Sequence, residues 1–112
     1  MKHVLILTIG IWIATFSFGV RFAHGEENLV EKGRELYTQK KCSMCHKIEG
    51  AGGKMGPDLS DEGNKGRTEE WLVNFFKDPK SIKPEGMMRP VKGTDEELKA
   101  LAAYVMSLKK TK

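Results

Sequence analysis

The sequence predicts an all-α domain, and three observations support this prediction. Apolar residues recur at helical spacing in three separate stretches of the chain. No stretch shows the alternation of apolar and polar residues that is typical of strands. The helical stretches are separated by two long segments rich in glycine and proline, which are uncommon in a compact domain unless they wrap a ligand. We therefore expect a small helical protein whose loops surround a bound group.

The first 25 residues resemble an export signal. Lys2 gives a positive start, residues 4–20 carry no charge, and small residues stand one and three positions before a cleavage site at Glu26. An uncleaved membrane anchor is the alternative, because the apolar stretch is at the lower limit of length for spanning a bilayer. In both cases we expect residues 26–112 to form one exported domain.

The charge balance argues against nucleic-acid binding. The whole chain has a formal net charge of +4, and two of its basic residues, Lys2 and Arg21, belong to the N-terminal segment. The domain that follows is therefore close to neutral, whereas domains that bind nucleic acids carry clustered basic charge.

The first helix of the domain is predicted over residues 29–41. Leu29, Gly33, Leu36 and Tyr37 fall on one face of this helix, with charged residues elsewhere. A glycine inside a helix costs about 1 kcal/mol relative to alanine. Gly33 therefore either permits the close approach of another helix or is simply tolerated.

A shorter middle helix begins after Thr68, which is a favourable N-cap residue. Two glutamates occupy its first turn, and Asp78-Pro79 ends it, because proline disfavours a helical conformation in the residue before it. The apolar face of this helix consists of Trp71, Leu72, Phe75 and Phe76.

The last helix is predicted from a capping box, in which Thr94 is the cap and Glu97 follows three residues later. Lysines close its end, as the helix dipole favours. The apolar positions at helical spacing are Leu98, Leu101, Ala102, Val105 and Leu108, and the closing lysines are Lys109, Lys110 and Lys112. Two terminal helices that can pack together and a middle helix complete the predicted fold.

The run Cys-Ser-Met-Cys-His at positions 42–46 contains both cysteines of the chain. C-x-x-C-H is the attachment signature of a c-type haem. Two thiols one turn apart can each form a thioether with one vinyl group of the porphyrin, and the histidine can then bind the iron. We expect one haem c, bound covalently through Cys42 and Cys45, with His46 as an iron ligand.

Three other interpretations of the C-x-x-C pair have less support from the sequence. A zinc site lacks further ligands, because His3 and His24 lie in the N-terminal apolar segment or at its edge. A thioredoxin-like pair requires a parallel sheet, which the sequence does not predict. A structural disulfide is the third alternative.

A second iron ligand would come from a methionine, because His46 is the only histidine after residue 26. The candidates are Met44, Met55, Met87, Met88 and Met106. The first two lie too close to the attachment motif, and a methionine on the last helix is by default a packing residue. Met87 and Met88, in a loop far along the chain, are left as candidates.

Several elements resemble, in order and spacing, the small class I cytochromes c. They are Cys42-Ser43-Met44-Cys45-His46, Gly56-Pro57-Asp58-Leu59, Trp71-Leu72, Asp78-Pro79, Met88-Arg89-Pro90 and Leu101-Ala102-Ala103-Tyr104-Val105. The resemblance covers nearly all of the chain after residue 26 and implies the fold of that family, with terminal helices packed together and long loops around one covalently bound haem.

The resemblance also assigns individual roles. It implies that Met88 is the sixth iron ligand, although Arg89 stands where the family often has proline. It implies that the carbonyl of Pro57 accepts a hydrogen bond from the ring of His46. Trp71 would line the haem pocket, contact a propionate or pack in the core. The first helix, at Gly33 and Tyr37, would meet the last helix near Leu101 and Tyr104.

Histidine and methionine together fill both axial positions of the iron and favour a low-spin centre. The resemblance therefore implies a monomeric one-electron carrier in the periplasm rather than an enzyme, bound to a membrane only if the N-terminal segment is uncleaved. Larger redox proteins would dock at the haem edge, drawn by basic residues, and no nucleic acid is expected. These basic residues are Lys40, Lys41, Lys47, Lys54, Lys80, Lys83, Arg89 and Lys92. The alternatives are a haem subunit of a larger complex and an open-iron haem sensor or enzyme.

Overall fold

The computed structural model describes Gly10 and residues 22–111, apart from the side chains at positions 22–24 and 26. The predicted export segment therefore lies almost entirely outside the described residues and stays a prediction. Within the described part, no helix combines the length and the apolar character needed to cross a bilayer.

Helices dominate the described residues, as predicted. The α-helices are α1 (Phe22–Gln39), α2 (Glu69–Lys77), α3 (Pro79–Ile82) and α4 (Asp95–Ser107), and two 3₁₀ turns cover Cys42–Met44 and Glu62–Lys65. A two-stranded antiparallel hairpin pairs β1 (Lys47–Ile48) with β2 (Ala51–Gly52). The all-α prediction is confirmed, and this small hairpin is the addition.

The close packing of α1 against α4 explains the glycine within α1. A Cβ atom added at Gly33 would lie 2.6 Å from the Cβ of Tyr104 and even closer to the carbonyl oxygen of Ala100. The rings of Tyr37 and Tyr104 meet edge to face, with centroids 5.6 Å apart. Of the two explanations for Gly33, the structure therefore confirms the close helix approach.

The hydrophobic core lies between α1, α2 and α4. Its buried members are Leu36, Tyr37, Leu72, Val73, Phe76, Leu98, Ala100, Leu101, Ala102 and Val105. Leu29 lies one turn before Gly33 on the predicted face of α1, but its side chain is 41% exposed and does not belong to the core.

The helix caps match the sequence. Thr68 Oγ1 accepts a hydrogen bond from the N–H of Trp71. At the start of α4, Thr94 Oγ1 accepts from the N–H of Glu97 over 3.2 Å, and the Glu97 carboxylate accepts from the N–H of Thr94 over 3.0 Å. Hydrogen bonds from the Thr94 backbone and side chain lower the pKa of Glu97, with the backbone bond as the larger effect.

Both terminal helices end earlier than predicted. α1 ends at Gln39, and Lys41 has a left-handed backbone conformation with φ of 58°. α4 ends at Ser107, so the closing lysines follow the helix instead of forming its last turn. The chain after α4 is held by the second 3₁₀ turn, because the N–H of Gly63 in that turn donates to the carbonyl of Leu108 over 2.8 Å.

Candidate functional site

The attachment segment, Cys42 to His46, follows the end of α1 after only two residues, Lys40 and Lys41. The backbone reverses at Lys41 and enters the 3₁₀ turn Cys42–Met44, and the N–H groups of Cys45 and His46 both donate to the carbonyl of Cys42, over 3.2 and 3.0 Å. Both cysteines are free thiols. Cys42 is half-buried, and burial raises the pKa of its thiol, whereas Cys45 is exposed. One tight turn therefore presents both thiols and the histidine.

The ring of His46 is fixed by the loop that follows the hairpin. Its Nδ1 lies 2.9 Å from the carbonyl oxygen of Pro57, which is the contact that the resemblance implies. A hydrogen bond at Nδ1 selects the tautomer in which Nε2 carries the free lone pair. The imidazole is thus prepared to bind a metal through Nε2.

Gly56 allows the His46 ring to lie against the backbone. A Cβ atom at this position would come within 2.5 Å of the ring Cε1, 2.7 Å of Nδ1 and 3.2 Å of Nε2. These distances are shorter than van der Waals contact, so only glycine leaves room for the ring. Gly56 belongs to the Gly-Pro-Asp-Leu element of the family resemblance, but its steric role depends on the tertiary approach of the loop and is not evident from the sequence.

The hairpin holds this loop in place. Glu49 and Gly50, at the turn of the hairpin, have φ angles of 49° and 83°, as expected for a type I′ turn. The N–H of Glu49 donates to Ser60 Oγ over 2.7 Å, and the N–H of Leu59 donates to the carbonyl of Lys47 over 2.9 Å. The hairpin was not predicted because strands of two residues are too short to show a periodic pattern.

Gly56→Ala is expected to lower the free energy of unfolding by about 2 kcal/mol, because the added methyl group displaces the His46 ring and breaks its bond to Pro57. Urea unfolding measures this change. Lys54→Ala is the matched control, since Lys54 is an exposed residue of the same loop. Equal stabilities of the two variants would contradict the steric role of Gly56.

The methionines differ in their surroundings. Met44, Met55 and Met87 expose 69%, 67% and 74% of their surface. Met88 is half-buried and packs against the core cluster, as does Met106 on α4. Of the two loop methionines, the structure therefore directs Met88 inward and leaves Met87 in solvent, which supports the choice of Met88 as the predicted ligand.

The loop that carries Met88, the methionine loop, spans residues 83–94 between α3 and α4 and is tied down after Met88 by two hydrogen bonds. The N–H of Val91 donates to the carbonyl of Phe76 over 2.7 Å. The side chain of Lys40, next to the attachment segment, donates to the carbonyl of Lys92. The same lysine thus joins the two segments that carry the predicted iron ligands, a role that its sequence position alone did not indicate.

Trp71 is half-buried and packs against the core. Its ring stacks on Phe75 with centroids 5.3 Å apart, and the guanidinium carbon of Arg67 lies 3.9 Å from its centroid on a cation–π contact. Arg67 is held by Glu62 over 2.9 Å, and Lys65 pairs with the same carboxylate over 2.8 Å. The predicted role of Trp71 toward a haem stays a prediction.

The residues present fit a covalently attached haem. Two free thiols three residues apart and an imidazole with Nδ1 already engaged form the donor set that this group requires. The space that the absent Cβ of Gly56 leaves for the ring is a second feature of that fit. Cys42, Cys45 and His46 are the residues that would hold the haem, and Met88 stays the predicted second iron ligand.

Comparisons with known proteins agree with this site. The cytochrome c family matches residues 30–109. The chain is 30% identical over 91 residues to cytochrome c oxidase subunit 2 of Alkalihalophilus pseudofirmus, covering 74% of this chain and 27% of that protein. It is 34% identical over 94 residues to cytochrome c oxidase subunit 2 of Bacillus sp. strain PS3, covering 71% of this chain and 26% of that protein.

The chain thus spans about a quarter of the length of these curated relatives. No solved structure gives a significant match. The family match covers most of the chain, including the attachment segment, the methionine loop and α4. The chain therefore belongs to the cytochrome c family, whose domains serve haem-based electron transfer.

Proposed function

We propose that this protein is a single-haem, one-electron carrier that works outside the cytoplasm, with the iron held by His46 and Met88. The observation that carries the proposal is the fixed ring of His46, whose Nδ1 is bound to Pro57 directly after two free thiols. When bound, a haem c supplies an iron that accepts and releases one electron.

In this proposal, each residue of the site has a separate role. The thiols of Cys42 and Cys45 tether the cofactor, and the Pro57 carbonyl keeps the His46 imidazole oriented and basic. The thioether of Met88, a soft neutral ligand, favours the reduced state of the iron. With His46 and Met88 both holding the iron, a substrate would have to displace Met88 in order to bind, which favours electron transfer over catalysis.

The surface around these segments supports docking of an acidic redox partner. Lys41 and Lys54 are exposed beside the attachment segment, and Lys83 and Lys92 are exposed along the methionine loop. Exposed charges steer association more than they add affinity. We therefore propose partners that present acidic groups around their own redox centre.

A second candidate function comes from the relatives. Both carry the name cytochrome c oxidase subunit 2, which favours a role as a haem subunit of, or an electron donor to, a larger oxidase complex. The two candidates share the same haem site and differ in whether the domain diffuses. An N-terminal segment that stays attached would favour the fixed subunit.

Expression with export in a bacterium that attaches haem c tests the proposal. We expect an intact mass with one added haem, an N-terminus at Glu26, a reversible one-electron titration and slow carbon monoxide binding by the reduced protein. Cys42→Ser together with Cys45→Ser is the control and should carry no covalent haem. Wild-type protein without covalent haem would refute the proposal, and rapid carbon monoxide binding would favour the open-iron alternative.

A further inference from the structure

Tyr37 carries a buried hydroxyl group that has no hydrogen-bond partner among the described residues. The residue is only 7% exposed, and its ring is fixed by the edge-to-face contact with Tyr104. A buried hydroxyl without a partner costs about 1–3 kcal/mol. Almost all such groups in native proteins are paired, so we expect the Tyr37 hydroxyl to have a hydrogen-bond acceptor in the haem-loaded protein.

Tyr37 shares its core cluster with the attachment segment. It is a buried member of the cluster against which Cys42 packs. Burial raises the pKa of Tyr37 to about 12, and Cys42, Tyr104 and Asp58 add to the effect. Asp58 follows Pro57 in the loop that holds His46. The phenol therefore keeps its proton at ordinary pH and can act only as a neutral donor or acceptor.

We propose that Tyr37 is a hydrogen-bonding residue of the haem site, and that its hydroxyl donates to an electron-rich acceptor of the attached cofactor. This inference rests on the proposed haem attachment. The acceptors that a haem c offers are propionate oxygens and thioether sulfurs, and hydrogen bonds to a redox centre tune its reduction potential. Because the positive end of the O–H dipole would point at this acceptor, the bond stabilises the reduced state and raises the reduction potential.

Tyr37→Phe tests the proposal, because it removes the hydroxyl and keeps the ring that packs on α4. At the midpoint potential of the wild type, we expect the ratio of reduced to oxidised protein to fall about threefold, the effect of losing one hydrogen bond of ordinary strength. Tyr104→Phe is the matched control, since Tyr104 is the other tyrosine of the chain and the partner in the ring pair. This control should leave the ratio unchanged.

A spectroscopic measurement on the wild type keeps the test independent of how well the variant folds. With ring-deuterated tyrosine, the infrared difference between oxidised and reduced protein should contain a phenol C–O band. We expect this band to persist in Tyr104→Phe and to disappear in Tyr37→Phe. Absence of a redox-linked tyrosine band in the wild type, or an unchanged ratio in Tyr37→Phe, would overturn the proposal.

Cys42→Ala, with the haem attached through Cys45 alone, tests whether the Cys42 sulfur is the acceptor. Loss of the tyrosine band in this variant identifies that sulfur, and its retention assigns the bond to a propionate or to the Cys45 sulfur; both results support the proposal. The outcome is also separable from the proposed function. If wild-type protein carries haem and shows the expected redox titration but no redox-linked tyrosine band, only the role of Tyr37 is refuted.

Discussion

Met88→Ala is expected to abolish the near-infrared sulfur-to-iron absorption band of the oxidised protein and to lower its reduction potential. The band reports a thioether bound to the iron, and the thioether stabilises the reduced state. Met88 is the methionine of its loop that packs against the core, whereas Met87 is 74% exposed. Absorption spectra and a redox titration of the purified haem protein measure both effects.

Met87→Ala is the control for this experiment, because it removes the neighbouring thioether and leaves the inward-facing one. Its band and its reduction potential should match those of the wild type. Reduced Met88→Ala should also bind carbon monoxide rapidly, since one axial position is then open. A band that survives in Met88→Ala and disappears in Met87→Ala would assign the iron to the exposed methionine. A band that survives in both variants would reject this loop as the source of the ligand.

The position of the methionine loop gives this expectation its physical basis. The N–H of Val91 is held by the carbonyl of Phe76, and Lys92 is held by the side chain of Lys40. Lys77 and Asp95, which flank the loop, form an ion pair over 2.8 Å. The two hydrogen bonds after Met88 and the ion pair between the end of α2 and the start of α4 do not involve the Met88 side chain, so Met88→Ala should remove the predicted ligand without releasing the loop.

Local signals in the sequence predicted most of the architecture. Thr68 and Thr94 mark the starts of α2 and α4, because each offers a side-chain oxygen to the free N–H groups of the first turn. These caps could be predicted because cause and effect lie within a few residues of each other. The spacing of the five residues from Cys42 to His46 likewise predicts a haem attachment site from local sequence alone.

Features that depend on tertiary approach could not be predicted in this way. The ion pair between Glu62 and Arg67 and the placement of Arg67 over Trp71 require three segments to meet. The bond from Lys40 to the Lys92 carbonyl joins residues that are 52 positions apart. For the same reason, the resemblance, and not the periodicity, supplied the contact between His46 and Pro57.

The inward direction of Met88 illustrates the boundary between these two kinds of information. From the sequence, Met87 and Met88 have the same chemistry and adjacent positions, and only the family resemblance separates them. In the structure, Met88 packs against the core cluster, whereas Met87 is 74% exposed. The path of the backbone through the loop makes the distinction that the residue types cannot.

Gly33→Ala is expected to lower the free energy of unfolding of the haem-loaded protein by about 3 kcal/mol, at the upper end for an overpacked core. The methyl group would lie 2.6 Å from the Tyr104 Cβ and closer still to the Ala100 carbonyl oxygen. Neither neighbour can rotate away, since one is a backbone atom and the other is fixed to the backbone. In an exposed helix, the same substitution would stabilise the folded protein by about 1 kcal/mol. Helix propensity and overpacking therefore predict opposite signs for the change in the free energy of unfolding.

Denaturant unfolding of the loaded protein measures this difference, with Lys32→Ala as the matched control on an adjacent exposed position of α1. The control should stay within about 0.5 kcal/mol of the wild type, as is usual for exposed substitutions. Because α1 leads directly into the attachment segment, separation of α1 from α4 in Gly33→Ala should also shift Cys42 relative to the core. A stabilised Gly33→Ala variant would show that α1 and α4 do not approach closely in solution. It would also contradict the ring contact between Tyr37 and Tyr104, which requires the same approach.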